Sequence, residues 1–214
     1  MNMQSQTVRS HDGVNLHVVT LGQPEHPAIV CAHGYPDNHR VWLPVAELLA
    51  QDYFVVLYDV RGAGQSDRPS RVRDYQLPIL AKDLEAVVTA TLPNRTFHLV
   101  AHDWGSIQSW EAVTTQRMGH RIASYTSISG PSLDHAGHWI LQRLKSGSVK
   151  KYGQLARQAA HSWYIGLFHL PVIAPTIWKF AGNTIWPKVL EKVEGIKDPE
   201  INPTQASDGK VGIK

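Results

Sequence analysis

The sequence predicts an α/β architecture, a mainly parallel sheet with helices on both faces. Short β-rich apolar runs alternate with helical stretches along the first 131 residues. Two of those runs, Ile29-Val30-Cys31-Ala32 and the one through Phe97, Leu99, Val100 and Ala101, are apolar enough to be buried strands. Asp12-Gly13, between two further β-rich runs, marks a hairpin at the start. Taken in order, strands are expected over 7–10 and 14–19 around that turn, then at 28–32, 54–58, 96–102 and 123–129. Helical spacing fits 40–50, 80–92 and 105–118. After Gly130-Pro131 the composition shifts to helical stretches rich in tryptophan, tyrosine and lysine. The best helices there are 148–168 and 173–193, with breaks near Pro171 and Gly182. The division expected is therefore a core over residues 1–131 and a helical cap over 132–214.

Composition narrows the function classes. A chain of 214 residues, 43% hydrophobic, can bury a sizeable core of one or two domains. A net charge of +3 does not demand a nucleic-acid partner. The single cysteine, Cys31, sits in an apolar strand, so no internal disulfide forms and a reducing compartment is the default. The first ten residues are polar, without the apolar centre of a signal peptide, which makes a cytoplasmic location the expectation. Residues 163–181 are the most apolar stretch, but Pro171, Pro175, His169 and Lys179 argue against a membrane span. Between Arg143 and Lys192 stand eight lysines and arginines and one acid, Glu191. That run reads either as a solvated basic face or as a cap that docks on an anionic membrane to collect a lipophilic substrate.

Chemistry concentrates at Ala101-His102-Asp103-Trp104-Gly105, between a buried strand and a helix. A tight strand-to-helix turn pushes its central side chain outward and requires small neighbours, and Ala101 and Gly105 meet that requirement around Asp103. A carboxylate there faces the positive end of the following helix and is placed to attack carbon, forming an ester. The alternative is an aspartate that caps the helix with its side chain. Two further motifs follow strands. His33-Gly34-Tyr35-Pro36-Asp37 reads as an ordinary Gly-Pro turn or as a loop serving the site. Tyr58-Asp59-Val60-Arg61-Gly62-Ala63-Gly64 lacks dinucleotide-type glycine spacing and a following Gly-Lys-Ser/Thr, so it reads as scaffold and not as a phosphate site.

The order of these motifs resembles the epoxide hydrolase and haloalkane dehalogenase branch of the α/β hydrolases. The segments Gly130-Pro131-Ser132, Asp134-His135 and Leu167-Phe168-His169-Leu170-Pro171 resemble the epoxide-hydrolase half of bacterial fusions with a short-chain dehydrogenase. The resemblance implies an α/β-hydrolase fold with a helical cap and Asp103 as nucleophile. It makes the amides of Tyr35 and Trp104 the oxyanion hole, supported by the loop of His33, Gly34 and Pro36. It also places Tyr164, ahead of Phe168 and Pro171, as the cap phenol that hydrogen-bonds the epoxide oxygen; a core tyrosine is the alternative. No cofactor is implied, and the partner expected is a small lipophilic substrate, with a dehydrogenase domain possible beside this one.

In the resembled family the histidine base and its acidic partner follow the cap, and neither finds a counterpart here. His102 should point away from the site, His33 belongs to the oxyanion loop, and His135 and His138 stand at the cap entrance. His98 and His102 share a strand face but lack a third metal ligand. The fold is accordingly expected to be incomplete at its C-terminus, with the strand at 123–129 left as an edge. A haloalkane dehalogenase, with Trp104 holding halide, and a non-catalytic binding module are the competing readings.

Overall fold

The computed structural model describes residues 3–162. Six strands form one sheet: β1 (Gln4–Arg9), β2 (Asn15–Leu21), β3 (Ala28–Ala32), β4 (Phe54–Tyr58), β5 (Phe97–His102) and β6 (Ile122–Ile128). Their order is β1-β2-β4-β3-β5-β6, antiparallel from β1 through β4 and parallel from β4 to β6. The Asp12-Gly13 turn joins β1 to β2, with Gly13 at φ 90° and Ser10 N–H bonded to Val14 O at 2.8 Å.

Strand periodicity divides the core in two. Val30, Ala32, Val56, Tyr58, Leu99 and Ala101 point to one face. There they pack with Leu84, Val87 and Val88 of α2 (Leu77–Thr91) and Ala112 of α3 (Trp104–Thr114). Ile29, Cys31, Val55 and Leu57 point the other way, against Trp42 and Ala46 of α1 (Leu43–Leu49) and the 3-10 turn before it (His39–Trp42). Helices therefore cover both faces, and β3 and β4 are buried throughout. Burial pushes the Cys31 thiol up to about 12, which leaves it an inert packing group.

The second helix, α2, begins at Leu77, earlier than the expected 80, with Pro78 in a first-turn position where the missing N–H costs nothing, whereas α1 begins at Leu43, later than the expected 40, because His39–Trp42 form a 3-10 turn ahead of it. The single helix expected over 105–118 is broken. Thr115 is extended (φ −82°, ψ 140°) and separates α3 from α4 (Gln116–Gly119). Thr114 Oγ1 donates to Trp110 O at 2.8 Å and Thr115 Oγ1 to Ala112 O at 3.1 Å, so two consecutive hydroxyls compete for the helix carbonyls.

Beyond Gly130 lie α5 (Leu133–Leu144) and α6 (Val149–His161), which pack on each other and contain no buried residue. Among the described residues β6 pairs only with β5 and is largely exposed. No helix of the described residues is long and apolar enough to cross a membrane.

Candidate active site

Asp103 holds the turn between β5 and α3 at φ 52°, ψ −125°. A non-glycine residue stays on that side of backbone space only when its surroundings hold it there. They do so through the backbone. Asp103 N–H donates to Ile128 O at 2.9 Å, and its carbonyl accepts Ile107 N–H at 3.1 Å, opening the helix. Fully buried Ser106 donates from Oγ to Ala101 O at 2.6 Å and accepts Ile128 N–H at 3.2 Å. The Tyr125 hydroxyl donates to Ser106 O at 2.8 Å, so β6 braces the turn from its far side. Space is equally restricted: a Cβ on Gly105 would overlap the Ala32 carbonyl and stand 2.5 Å from His33 O.

The side chain of Asp103 does not cap α3, since it makes no hydrogen bond to that helix's amides. It looks the other way. Oδ2 accepts the backbone N–H of Tyr35 at 3.1 Å. The loop can come that close because residue 34 is glycine; a Cβ there would lie 2.6 Å from both Asp103 Cβ and Oδ2. Between the capping and the outward-facing readings of this aspartate, the geometry selects the second.

Tyr35 is followed by a cis bond to Pro36. His33 is buried, with Nε2 accepting Val60 N–H at 2.9 Å and Nδ1 donating to Gly34 O at 2.8 Å. Both ring nitrogens are thus engaged with backbone, one in the loop itself and one in the turn after β4. Trp104 is the first residue of α3, so its N–H belongs to the group that has no acceptor within the helix. Its indole is half exposed, at 48%.

The glycine-rich turn after β4 is scaffold. Buried Arg61 grips Asp83 of α2 with two nitrogens at 2.5 Å each, Asp12 of the hairpin at 2.8 Å and the Asp74 carbonyl at 3.0 Å. Its hydrogen bond lowers the Asp12 carboxyl below its ordinary range, more than burial raises it. The same turn carries Asp59, fully buried, whose Oδ1 accepts His39 N–H at 2.8 Å and His39 Nδ1 at 2.7 Å. Its Oδ2 accepts Gln65 N–H at 2.8 Å. Burial alone would raise this carboxyl; the bonds from His39 and the amide of Gln65 outweigh it and hold it below the usual range. Nothing in the spacing of His39 and Asp59 announced their pairing.

The remaining predicted positions divide clearly. Tyr164 lies outside the described residues. His98 and Ser124 are 2.7 Å apart, and neither His98 nor His102 joins a close donor cluster among the described residues. His135 and His138 fall on α5. Among the described residues two donor clusters do occur, His17 with His39 and Asp59, and His11 with Asp12 and Asp83; Arg61 bonds both acids of the second.

A parallel sheet with helices on both faces, whose strand-turn-helix presents an acidic side chain opposite a His-Gly loop, defines the α/β-hydrolase class of architecture. Residues 27–163 match the alpha/beta hydrolase fold family, and the chain belongs to it. It is 36% identical over 178 residues to a protein of Mycobacterium tuberculosis named probable oxidoreductase EphD, covering 83% of this chain and 30% of that one. It is 31% identical over 163 residues to epoxide hydrolase 3 of Xenopus tropicalis, covering 75% and 40%. Among solved structures it resembles an epoxide hydrolase mutant of Vigna radiata, with TM-score 0.56 and 30% identity over 61% of this chain and 40% of that one. The chain thus spans well under half the length of these relatives.

Proposed function

We propose that this chain carries the nucleophile half of an epoxide hydrolase acting on a lipophilic epoxide. The single observation that carries the reading is the orientation of Asp103, strained in its turn, turned away from its own helix and bonded by the Tyr35 amide. The curated epoxide hydrolases among its relatives support the choice of electrophile. In the reaction, Asp103 Oδ attacks a ring carbon as the C–O bond breaks, giving an ester and an alkoxide that takes a proton from an acid. Tyr164 fills the acid role in this reading. Water then attacks the ester carbonyl, and the amides of Tyr35 and Trp104 stabilise the tetrahedral oxyanion before the diol leaves. The base that activates that water is not one of the described histidines whose contacts are given above.

The oxidoreductase name of the mycobacterial relative, matched over 30% of its length, supports a setting in which this hydrolase region stands beside a dehydrogenase region. The basic cap serves as a peripheral contact with anionic membrane; Arg143, Lys145, Lys150, Lys151 and Arg157 stand on or beside α5 and α6 with no acid between His135 and Ser162. A cytoplasmic location fits this setting.

One turnover in heavy-oxygen water tests the mechanism in the full-length protein. Ester chemistry gives a first diol that carries an Asp103 oxygen and no label, with the label left on Asp103. Labelled diol in the first turnover means direct attack by water. Halide release from a chloroalkane in place of diol formation would favour the dehalogenase reading.

A further inference from the structure

The loop that brings the Tyr35 amide to Asp103 runs from the end of β3 to the 3-10 turn at His39, and both of its ends are fixed. One end is His33, at the end of β3; its Nε2 accepts Val60 N–H at 2.9 Å. The other end is His39, at the start of the 3-10 turn, where backbone N–H and Nδ1 both reach Asp59 Oδ1. Both anchors therefore lie on consecutive residues, 59 and 60, of the turn after β4. That turn is itself immobilised: Asp59 Oδ2 holds Gln65 N–H, and Ser66 Oγ donates to Asp59 O at 2.6 Å. Asp59 is 0% exposed, His39 6% and His33 2%, so water does not substitute for these bonds.

Resting on the reading of Asp103 as nucleophile, we infer that His39 and Asp59 are positioning residues: their pair sets the loop of residues 33–38 so that the Tyr35 amide meets the Asp103 carboxylate. The Tyr35 N–H to Oδ2 distance is 3.1 Å, and the Gly34 backbone already approaches Asp103 at the limit of contact, so a small shift of the loop either loses the bond or collides. His39 fixes the far end of the loop on the same turn that fixes His33.

The test uses the full-length protein with styrene oxide as probe, following covalent adduct on the Asp103 peptide with time and the exchange protection of the Tyr35 amide. His39→Ala and Asp59→Asn are expected to slow the maximal rate of adduct formation about tenfold, the scale of a misplaced reacting group, with the half-saturating concentration within about twofold. Tyr35 amide protection is expected to fall in both. His39→Asn places an amide nitrogen where Nδ1 stood and should restore rate and protection; it also keeps the test open if Asp59→Asn does not fold. Val88→Ala, a cavity in the opposite core cluster, controls for lost stability: it should lower Tm without touching either readout. The inference is overturned if His39→Ala behaves like Val88→Ala, with rate and Tyr35 protection intact. Absence of any adduct in the wild type would sink the nucleophile reading instead, and Tyr35 protection in His39→Ala would then decide the positioning role alone.

Discussion

Every residue of β3 and β4 is buried, whereas α5 and α6, on the other side of Gly130, contain no buried residue at all. Leu141 and Leu144 of α5 are about half exposed and Val149 of α6 is 85% exposed. The difference teaches where a strained residue can be kept. Asp103 occupies a costly backbone conformation, of order 1–3 kcal/mol, and it is held by Ile128 of β6, Ile107 of α3 and the Tyr35 amide of the loop after β3. Helices α5 and α6, which pack on each other, contain no buried residue that could hold such a conformation.

The largest expected effect is chemical and confined to the core side. Asp103→Asn should abolish adduct formation with an epoxide while leaving Tm within a few degrees, because asparagine tolerates positive φ; an undiminished adduct rate, read by mass spectrometry, would remove the nucleophile from this turn. Truncation of the two regions should then differ by several-fold. Leu99→Ala, fully buried in β5, is expected to cost about 2–5 kcal/mol in denaturant unfolding, and Leu144→Ala in α5 about 0.5 kcal/mol or less; equal losses would break the comparison. Gly34→Ala should cost about 1–3 kcal/mol by overpacking against Asp103 and slow adduct formation as well, since its added carbon stands on the Asp103 carboxylate.

A smaller effect depends on pH. Burial lowers the His17 imidazole below its ordinary 6.5, against the pull of Asp59, so the folded chain favours the neutral ring. That stability is present above about pH 6.5 and drains as pH falls through the folded value. Asp59, held low, contributes in the same sense further down, present above its ordinary 3.8 and lost below it. His17→Gln should flatten the Tm-against-pH curve in the upper of these windows; an unchanged slope would mean the ring is not what titrates. The smallest effect expected is on vesicles. Replacing Lys150 with glutamine should weaken co-sedimentation with anionic vesicles about fivefold at low salt, at about 1 kcal/mol per charge, and no binding by the unaltered protein would withdraw the membrane contact.

The parts legible in the sequence were those governed by burial. The runs at 28–32 and 54–58 coincide with β3 and β4 because both faces of these strands are covered and the apolar pattern has no gaps. β1 begins at Gln4, earlier than its apolar residues suggest, since a polar edge strand leaves no hydrophobic trace. α5 went unnamed although Leu133, Ile140, Leu141 and Leu144 carry helical spacing, because Gly137 and three histidine and tryptophan positions interrupt it. At the site, Asp103 and Gly105 were readable from motif spacing, whereas His33, Gly34 and Tyr35 entered through the family resemblance because spacing alone left an ordinary Gly-Pro turn open; the structure brings the loop against Asp103. The His39–Asp59 pair was not: its partners are 20 residues apart and are brought together by the parallel pairing of β3 with β4. Tyr164 stays an expectation drawn from the family.

The most direct test of the account is to incubate the full-length protein with a lipophilic epoxide, quench it, and map the modified peptide. The account predicts a mass increase of one epoxide on the peptide containing Asp103, carried as a hydroxylamine-labile ester and missing from Asp103→Asn. A protein that turns the epoxide over without ever carrying that ester, or that carries it on another residue, would contradict it.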